Sequence, residues 1–380
     1  MFNETIDFIK SLYPNKKFIG LHEPIFSGNE KKYVLDAIDS TFVSSVGAYV
    51  NDFEKKFAEK VNSPFAVVTG NGTSAIHAAL RLLDVKPNDE VITQALTFVA
   101  TANAIKYCFA HPVFVDSDAK NLGMSLNSLR SFLEDNAVIE NNQCINKNTR
   151  RVIKACVPMH VFGHAVRIDE IVTLCDQYCI PVLEDAAESL GSYYKNQHTG
   201  LFGKVGVFSF NGNKIVTAGG GGMIVTNDPV IAKRAKHITT TAKVPHKWNF
   251  HHDELGYNYR MPNLNAALAL AQLERLEEFV VNKRQTAQAY KDFFANKGIQ
   301  FLVEPDDAKS NYWLNAIFLK NRAERDSFLE HSNANGVMTR PVWDLMSELP
   351  MYKDCQTTDL SVAKSIADRL VNIPSSVRLS

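Results

Sequence analysis

The sequence has no excess of charge of either sign: Lys and Arg number 41, and Asp and Glu also number 41. Such a balance offers no global field for nucleic acid or an anionic membrane, so any anion-binding site must be local. Long hydrophobic runs are missing as well; nothing reaches the roughly 18 consecutive apolar residues of a membrane span. The opening MFNETIDFIKSLYPNKKF has charges among its apolar residues and no small-residue cleavage site, so it does not read as a signal peptide. The six cysteines form no CxxC pair. Cys175 and Cys179 are four apart in a helical pattern without further ligand types nearby, which predicts free, buried thiols and no metal site. Two phosphate-binding signatures are also absent. Without a GK[ST] the chain has no Walker loop, and without GxGxxG it lacks the fingerprint of a nicotinamide-dependent enzyme. These absences leave a cytoplasmic protein with some other local anion site.

What is present is an ordinary globular composition, 45% hydrophobic and 22% charged over 380 residues. That length suits a large domain with a smaller one. From residue 60 to 230, short β-branched runs alternate with amphipathic stretches: FAVVT (65–69), EVIT (90–93), PVFVD (112–116), VIKACVP (152–158) and IPVLEDA (180–186). The alternation predicts βαβ units and a mostly parallel sheet, whose chemistry sits at the carboxyl ends of the strands. After residue 260, apolar residues at helical spacing predict one long helix, with or without a break, leading into a small C-terminal α/β domain. The expected division is 1–40 as an N-terminal arm, 41–260 as the large domain, and 261–380 as the connecting helix and small domain.

Three local features point to one chemistry. VVTGNGTSAIHAAL (67–80) reads as strand, tight turn and helix, with Gly70 and Gly72 permitting the turn. The helix start presents free amides and the positive end of its dipole, as a phosphate site requires, although any capped helix start looks the same. In IPVLEDAAESLGS (180–192), Asp185 ends an apolar strand, where a carboxylate is costly unless a cation or strong donor meets it. In SFNGNKIVTAGGGG (209–222), Lys214 stands between apolar runs. A snorkelling lysine would fit that position; so would an amine nucleophile that forms a Schiff base. Phosphate cradle, then acid, then lysine is the order that pyridoxal 5'-phosphate demands: one holds the phosphate, one pairs with the pyridine nitrogen, one holds the aldehyde.

With FVSSVGAYVNDFE (42–54), QALTFVATANAI (94–105), HVFGH (160–164), LGYNYRMPNLNAAL (255–268) and RPVWDLMSELPMY (340–352), these segments resemble the DegT/DnrJ/EryC1/StrS sugar aminotransferases over nearly the whole chain. The resemblance implies an α/β fold of the pyridoxal-phosphate fold type I (aspartate-aminotransferase-like), with a large, mostly parallel sheet domain and a small C-terminal α/β domain. It implies Lys214 as the Schiff-base lysine and Asp185 as the partner of the pyridine nitrogen. Gly72, Thr73 and Ser74, together with Ser209, are implied for the phosphate, and Phe98 for stacking on the ring. Glu188 stands where many relatives have Gln, near the ring face or its phenolic oxygen. Asn258 is expected to reach the phosphate of a neighbouring subunit, giving a homodimer with shared sites. His160, Arg340 and Trp343 are expected near the substrate, and His164 and His198 at the surface or behind the site.

The segments SFNGNK and EDAAESLGS look most like the bacillosamine and legionaminic-acid branch. That likeness implies transfer of the amino group of L-glutamate to C4 of a UDP-linked 2-acetamido-4-keto-2,6-dideoxyhexose. A dTDP- or GDP-linked keto-sugar, or a regulator that binds the cofactor without catalysis, remain the alternatives. Related sugar dehydratases carry histidine in place of the lysine; this chain has lysine, which favours amino transfer.

Overall fold

A computed structural model describes residues 2–378. The outer ends of two expected ranges, Met1 and Leu379–Ser380, lie outside them. Seven strands form the central sheet: β1 (Phe65–Thr69), β2 (Glu90–Gln94), β3 (His111–Val115), β4 (Ile153–Val157), β5 (Leu183–Asp185), β6 (Val205–Ser209) and β7 (Gly222–Thr226). The first five are the runs expected from β-branched composition. Their spatial order is β3-β2-β4-β5-β6-β7-β1, with β4 and β5 joined through parallel bridges at Cys156–Val182 and Met159–Asp185. All neighbours are parallel except β7, which runs antiparallel to both β1 and β6. The reversal has a simple cause. The twelve residues between β6 and β7 form only turns, with no helix to carry a parallel crossover, so the chain folds back beside β6 in the opposite sense.

Strand residues alternate between two covered faces, which is why these strands are apolar throughout rather than every second residue. Val91, Ala155 and Val157 pack with Ile76, Leu80 and Ile105 under the helices Gly72–Leu82 and Val99–Tyr107. Their neighbours Ile92 and Cys156 face the other way, onto Leu129, Ile171 and Leu174 of the helices Leu126–Asn136 and Ile168–Gln177. Four of the cysteines lie buried in these layers as expected, Cys355 is half-buried, and Cys179 is the exception, exposed at a left-handed residue after its helix.

The long C-terminal helix is interrupted at Arg275, giving Asn263–Glu274 and Leu276–Phe294. The two pieces serve different cores. The first is buried against the helices Glu30–Asp39 and Ala48–Val61. The second sends Tyr290 and Phe294 onto a four-stranded antiparallel sheet, in the order 300–301, 315–318, 370–373, 340–341. The first helix of the chain, Phe2–Leu12, docks Ile6 and Ile9 into that same cluster. Among the described residues no helix is long and apolar enough to cross a membrane.

Candidate active site

The parallel strands β1, β5 and β6 end on one edge of the sheet, and antiparallel β7 begins there. Register places Asp185 opposite Val207, and both Thr69 and Ser209 opposite Gly222. Loops from this edge enclose a cavity of about 280 Å³. Asn71, Gly72 and Thr73 form its phosphate-like end, Asp185 its floor, and Ser209 and Lys214 one side. Phe98 and Trp343 meet edge to face at the mouth, ring centroids 6.0 Å apart.

At the helix start, Asn71 adopts an extended backbone and its side chain caps the first turn, accepting from the Ser74 amide at 2.8 Å. This corrects one expectation: Ser74 has given its amide to the cap and does not line the cavity. Among the described residues no acceptor takes the amides of Gly72 and Thr73, so these are the donors left for an anion. Gly72 also lets β6 come close. A Cβ there would stand 2.9 Å from Ser209 Cβ and 3.1 Å from its Oγ. Gly72→Ala should therefore push the Ser209 hydroxyl away and weaken binding of a phosphate-bearing cofactor on the order of 10-fold or more, the worth of one hydrogen bond to a charged group. Titrating the apoprotein with cofactor measures this, and an unchanged Kd would remove Ser209 from the phosphate site.

Asp185 is sealed from solvent, its Oδ2 accepting from Thr101 Oγ1 at 2.7 Å and its Oδ1 from the Ala187 amide at 3.2 Å. Burial raises its pKa above the usual aspartate value; the Thr101 and Ala187 hydrogen bonds oppose this, and the Lys214 and His160 charges do so more weakly. A protonated ring nitrogen facing this carboxylate would supply the missing counter-charge. The neighbouring Glu184 points away from the cavity by strand alternation. It accepts amides from Gly200, Phe202 and Gly203 at 2.6–2.7 Å and pairs with His160 Nε2 at 3.0 Å.

That pairing corrects the expectation for His160. Its ring has no exposed surface, and its Nδ1 accepts from the Val166 amide at 3.3 Å. The imidazole braces the loop behind Asp185 and is closed to substrate. His164 and His198 are likewise fully buried rather than superficial, and burial lowers both pKa values to about 4. Arg340 is exposed in its short strand, paired with Asn372 and donating to its neighbour's carbonyl at Thr339, away from the cavity. Asn258 is exposed too, its Oδ1 taken by Arg260 Nε at 3.0 Å.

Lys214 sits in the turn after β6, its side chain 13% exposed. Its Nζ lies 3.1 Å from Glu188 Oε1 and 3.9 Å from the centroid of the Trp313 ring. Trp313 is a wall that sequence reasoning missed. It donates its indole N–H to Asn213 O at 2.8 Å, across 100 positions of chain. Asn311, also missed, holds this wall: its Oδ1 accepts the Trp313 amide at 2.8 Å while its Nδ2 donates to Glu188 O and Leu190 O, both at 2.9 Å. The only available signal for either residue was polar and aromatic character inside a strand-like apolar stretch.

The cavity therefore offers two free amides and a hydroxyl at one end, a buried carboxylate beneath, and one amine at the side. That donor set fits pyridoxal phosphate. The sequence model of the DegT/DnrJ/EryC1/StrS aminotransferase family matches residues 24–380. Over 88% of this chain and 84% of its own length, EpsN of Bacillus subtilis (strain 168), named as a pyridoxal phosphate-dependent aminotransferase, is 40% identical. The GDP-perosamine synthase of Escherichia coli O157:H7 is 38% identical over 96% of this chain and 95% of its own. The crystal structure of a DegT/DnrJ/EryC1/StrS aminotransferase from Brucella abortus superposes with a TM-score of 0.85 at 25% identity, covering 93% of this chain and 91% of that one.

Proposed function

The chain belongs to the DegT/DnrJ/EryC1/StrS aminotransferase family, whose cofactor is pyridoxal phosphate, and we propose from that premise that it moves the amino group of L-glutamate onto C4 of a nucleotide-linked keto-sugar. The observation that carries this reading is the convergence of Lys214, Asp185 and the free Gly72 and Thr73 amides on one cavity. We propose further that the chain is a fold type I enzyme, divided near residues 40 and 260, and that it acts in the cytoplasm as a homodimer. Exposed Phe42, Val46, Phe109, Trp248 and Phe250 support a partner surface, and exposed Asn258 is free to reach the partner's site.

When bound, the cofactor supplies an electrophilic aldehyde and an electron sink for negative charge on the substrate carbon. The residues do the rest. The amides of Gly72 and Thr73 and the Ser209 hydroxyl hold the phosphate. Asp185, fixed by Thr101, would face the ring nitrogen and favour its protonated form. Phe98 covers the ring. Lys214 Nζ would hold the aldehyde and, when free of it, would be the amine placed to take and return the proton of the substrate's α-carbon. Trp343, beside Phe98 at the mouth, bounds the space left for the sugar.

The nucleotide is the finer question. The sequence markers favoured a UDP-linked sugar. A relative matching nearly the full chain is named for a GDP-linked product, GDP-perosamine, and this moves the proposal to a GDP-linked keto-sugar. A panel of GDP-, UDP- and dTDP-linked 4-keto-sugars with glutamate, read by product mass, tests it. The GDP-linked substrate should give a kcat/KM at least about 10-fold above the others, the discrimination that a few base contacts provide. Preference for UDP would restore the first reading, and no amine product from any sugar would end both.

A further inference from the structure

The amine of Lys214 is held between two close partners, both of a kind that receives a cation. A carboxylate oxygen 3.1 Å away and an indole face 3.9 Å away both stabilise an ammonium. An ammonium has no lone pair and cannot attack an aldehyde, so a proton must leave before the covalent bond can form. Water is one destination, but the amine is largely shielded from it and already touches a base.

Glu188 is built for that contact. Its Oε2 accepts the Phe162 amide at 2.9 Å, which leaves Oε1 aimed at Lys214. The donor Phe162 sits in the left-handed region (φ 55°, ψ 17°), a costly conformation for a bulky residue and one that tends to persist where a site requires it. The next residue, Gly163, has φ +95°, and a Cβ there would lie 1.9 Å from Asn311 Oδ1. The Asn311 side chain in turn fixes the backbone of Glu188 and the amide of Trp313. One amide thus sets both partners of the lysine.

Asp185 does not compete for this role: among the described residues the Lys214 amine pairs with Glu188, while Thr101 and the Ala187 amide hold the Asp185 carboxylate in place. We propose that Glu188 is a catalytic residue, the acid–base partner of Lys214. Oε1 takes a proton from the Lys214 ammonium before the amine bonds to the cofactor aldehyde, and gives it to the aldehyde oxygen, which leaves as water. In the first step an N–H bond breaks with its electron pair left on Nζ, and an O–H bond forms on Oε1. In the second step that O–H bond breaks and the proton joins the departing oxygen as water, which restores the Glu188 carboxylate and consumes nothing else. The assignment rests on the reading of Lys214 as the residue that holds the aldehyde.

The surrounding charges suit the exchange. Burial raises the Glu188 pKa to about 6, with nearby Asp185 pushing the same way and Lys214 and the Phe162 amide opposing. His22 and Lys283 also stand on this side, both near Trp313, and burial lowers both far below their usual values. The Glu184–His160 pair lies on the opposite side of Asp185.

The test follows the visible band that forms when apoprotein is mixed with pyridoxal phosphate, between pH 5 and 9. Wild type should capture the aldehyde with a rate that rises through an acid-side inflection. Glu188→Gln should be slower on the order of 100-fold and lack that inflection, as expected for loss of a general base. Glu188→Asp should recover the inflection at an intermediate rate. Pyridoxamine phosphate, which has no aldehyde, should bind the Gln variant within about threefold of wild type, since only the proton exchange has been removed. Capture by Glu188→Gln at the wild-type rate with the wild-type profile overturns the proposal, and so does a parallel loss of pyridoxamine phosphate affinity, which would make Glu188 merely structural. A wild-type protein that never develops the band would instead overturn the reading of Lys214, and this proposal with it.

Discussion

Lys214→Ala is expected to abolish both the visible absorbance of the cofactor-loaded protein and its amino transfer, with turnover falling by at least about 10⁴-fold. Removing a general acid–base group alone reaches the top of that range, and here the same amine is also the covalent tether. The fold should survive. Lys214 lies in a turn with exposed neighbours, its amide bonded to Asn211 O, and its amine is held by Glu188 and the Trp313 face. Steady-state transfer from glutamate and an absorbance spectrum measure the outcome together. Turnover within about 10-fold of wild type would mean that the buried amine has some other purpose.

The second large effect is expected at Asp185. Asp185→Asn keeps the shape and can still accept from Thr101, but removes the charge facing the ring nitrogen. Transfer should fall roughly 10²–10³-fold, the usual loss when a preorganised electrostatic partner is deleted. The stability of the apoprotein should move the other way. Because burial raises the folded-state pKa of Asp185, the protonated form favours folding; that contribution is present at low pH and is lost as pH rises above the ordinary aspartate value of 3.8. Glu188 adds the same trend between 4.5 and about 6. Without cofactor, Asp185→Asn should therefore melt above wild type at neutral pH. With cofactor bound, the order should reverse, since the wild-type carboxylate then has its cation. Paired melting curves at pH 4 and pH 7, with and without cofactor, check both signs. An apoprotein order that is the same at the two pH values would show that the carboxylate is not under strain.

Most of the site was legible because its parts are local. A turn of glycines before a helix, an acid at the end of an apolar strand, and a lysine beside four glycines each lie within a dozen residues. Each sits at a strand's carboxyl end, where an α/β sheet must place its loops. The errors share a different character. Ser74 was expected to offer its amide to a phosphate, yet Asn71, three residues earlier, takes it; two local rules competed and the cap prevailed. His160 was expected beside substrate from the family resemblance alone. Whether a side chain there faces the cavity or the loops behind depends on Glu184, which needed a buried donor.

Composition and periodicity by themselves predicted an α/β protein with a local anion site, and singled out as candidates the lysine and the acid that the structure places on one cavity. Those properties follow from short-range chemistry: hydrophobic period, turn residues, and the cost of an unpaired charge beside buried strands. The tertiary structure alone decided which side chains surround the amine. Trp313 and Asn311 come from a segment about 100 residues beyond Lys214, and Glu188 from one 26 residues before it. Pairwise contacts at such separations are set by how the small sheet and the interrupted helix dock on the large sheet, and nothing in a linear pattern records that docking.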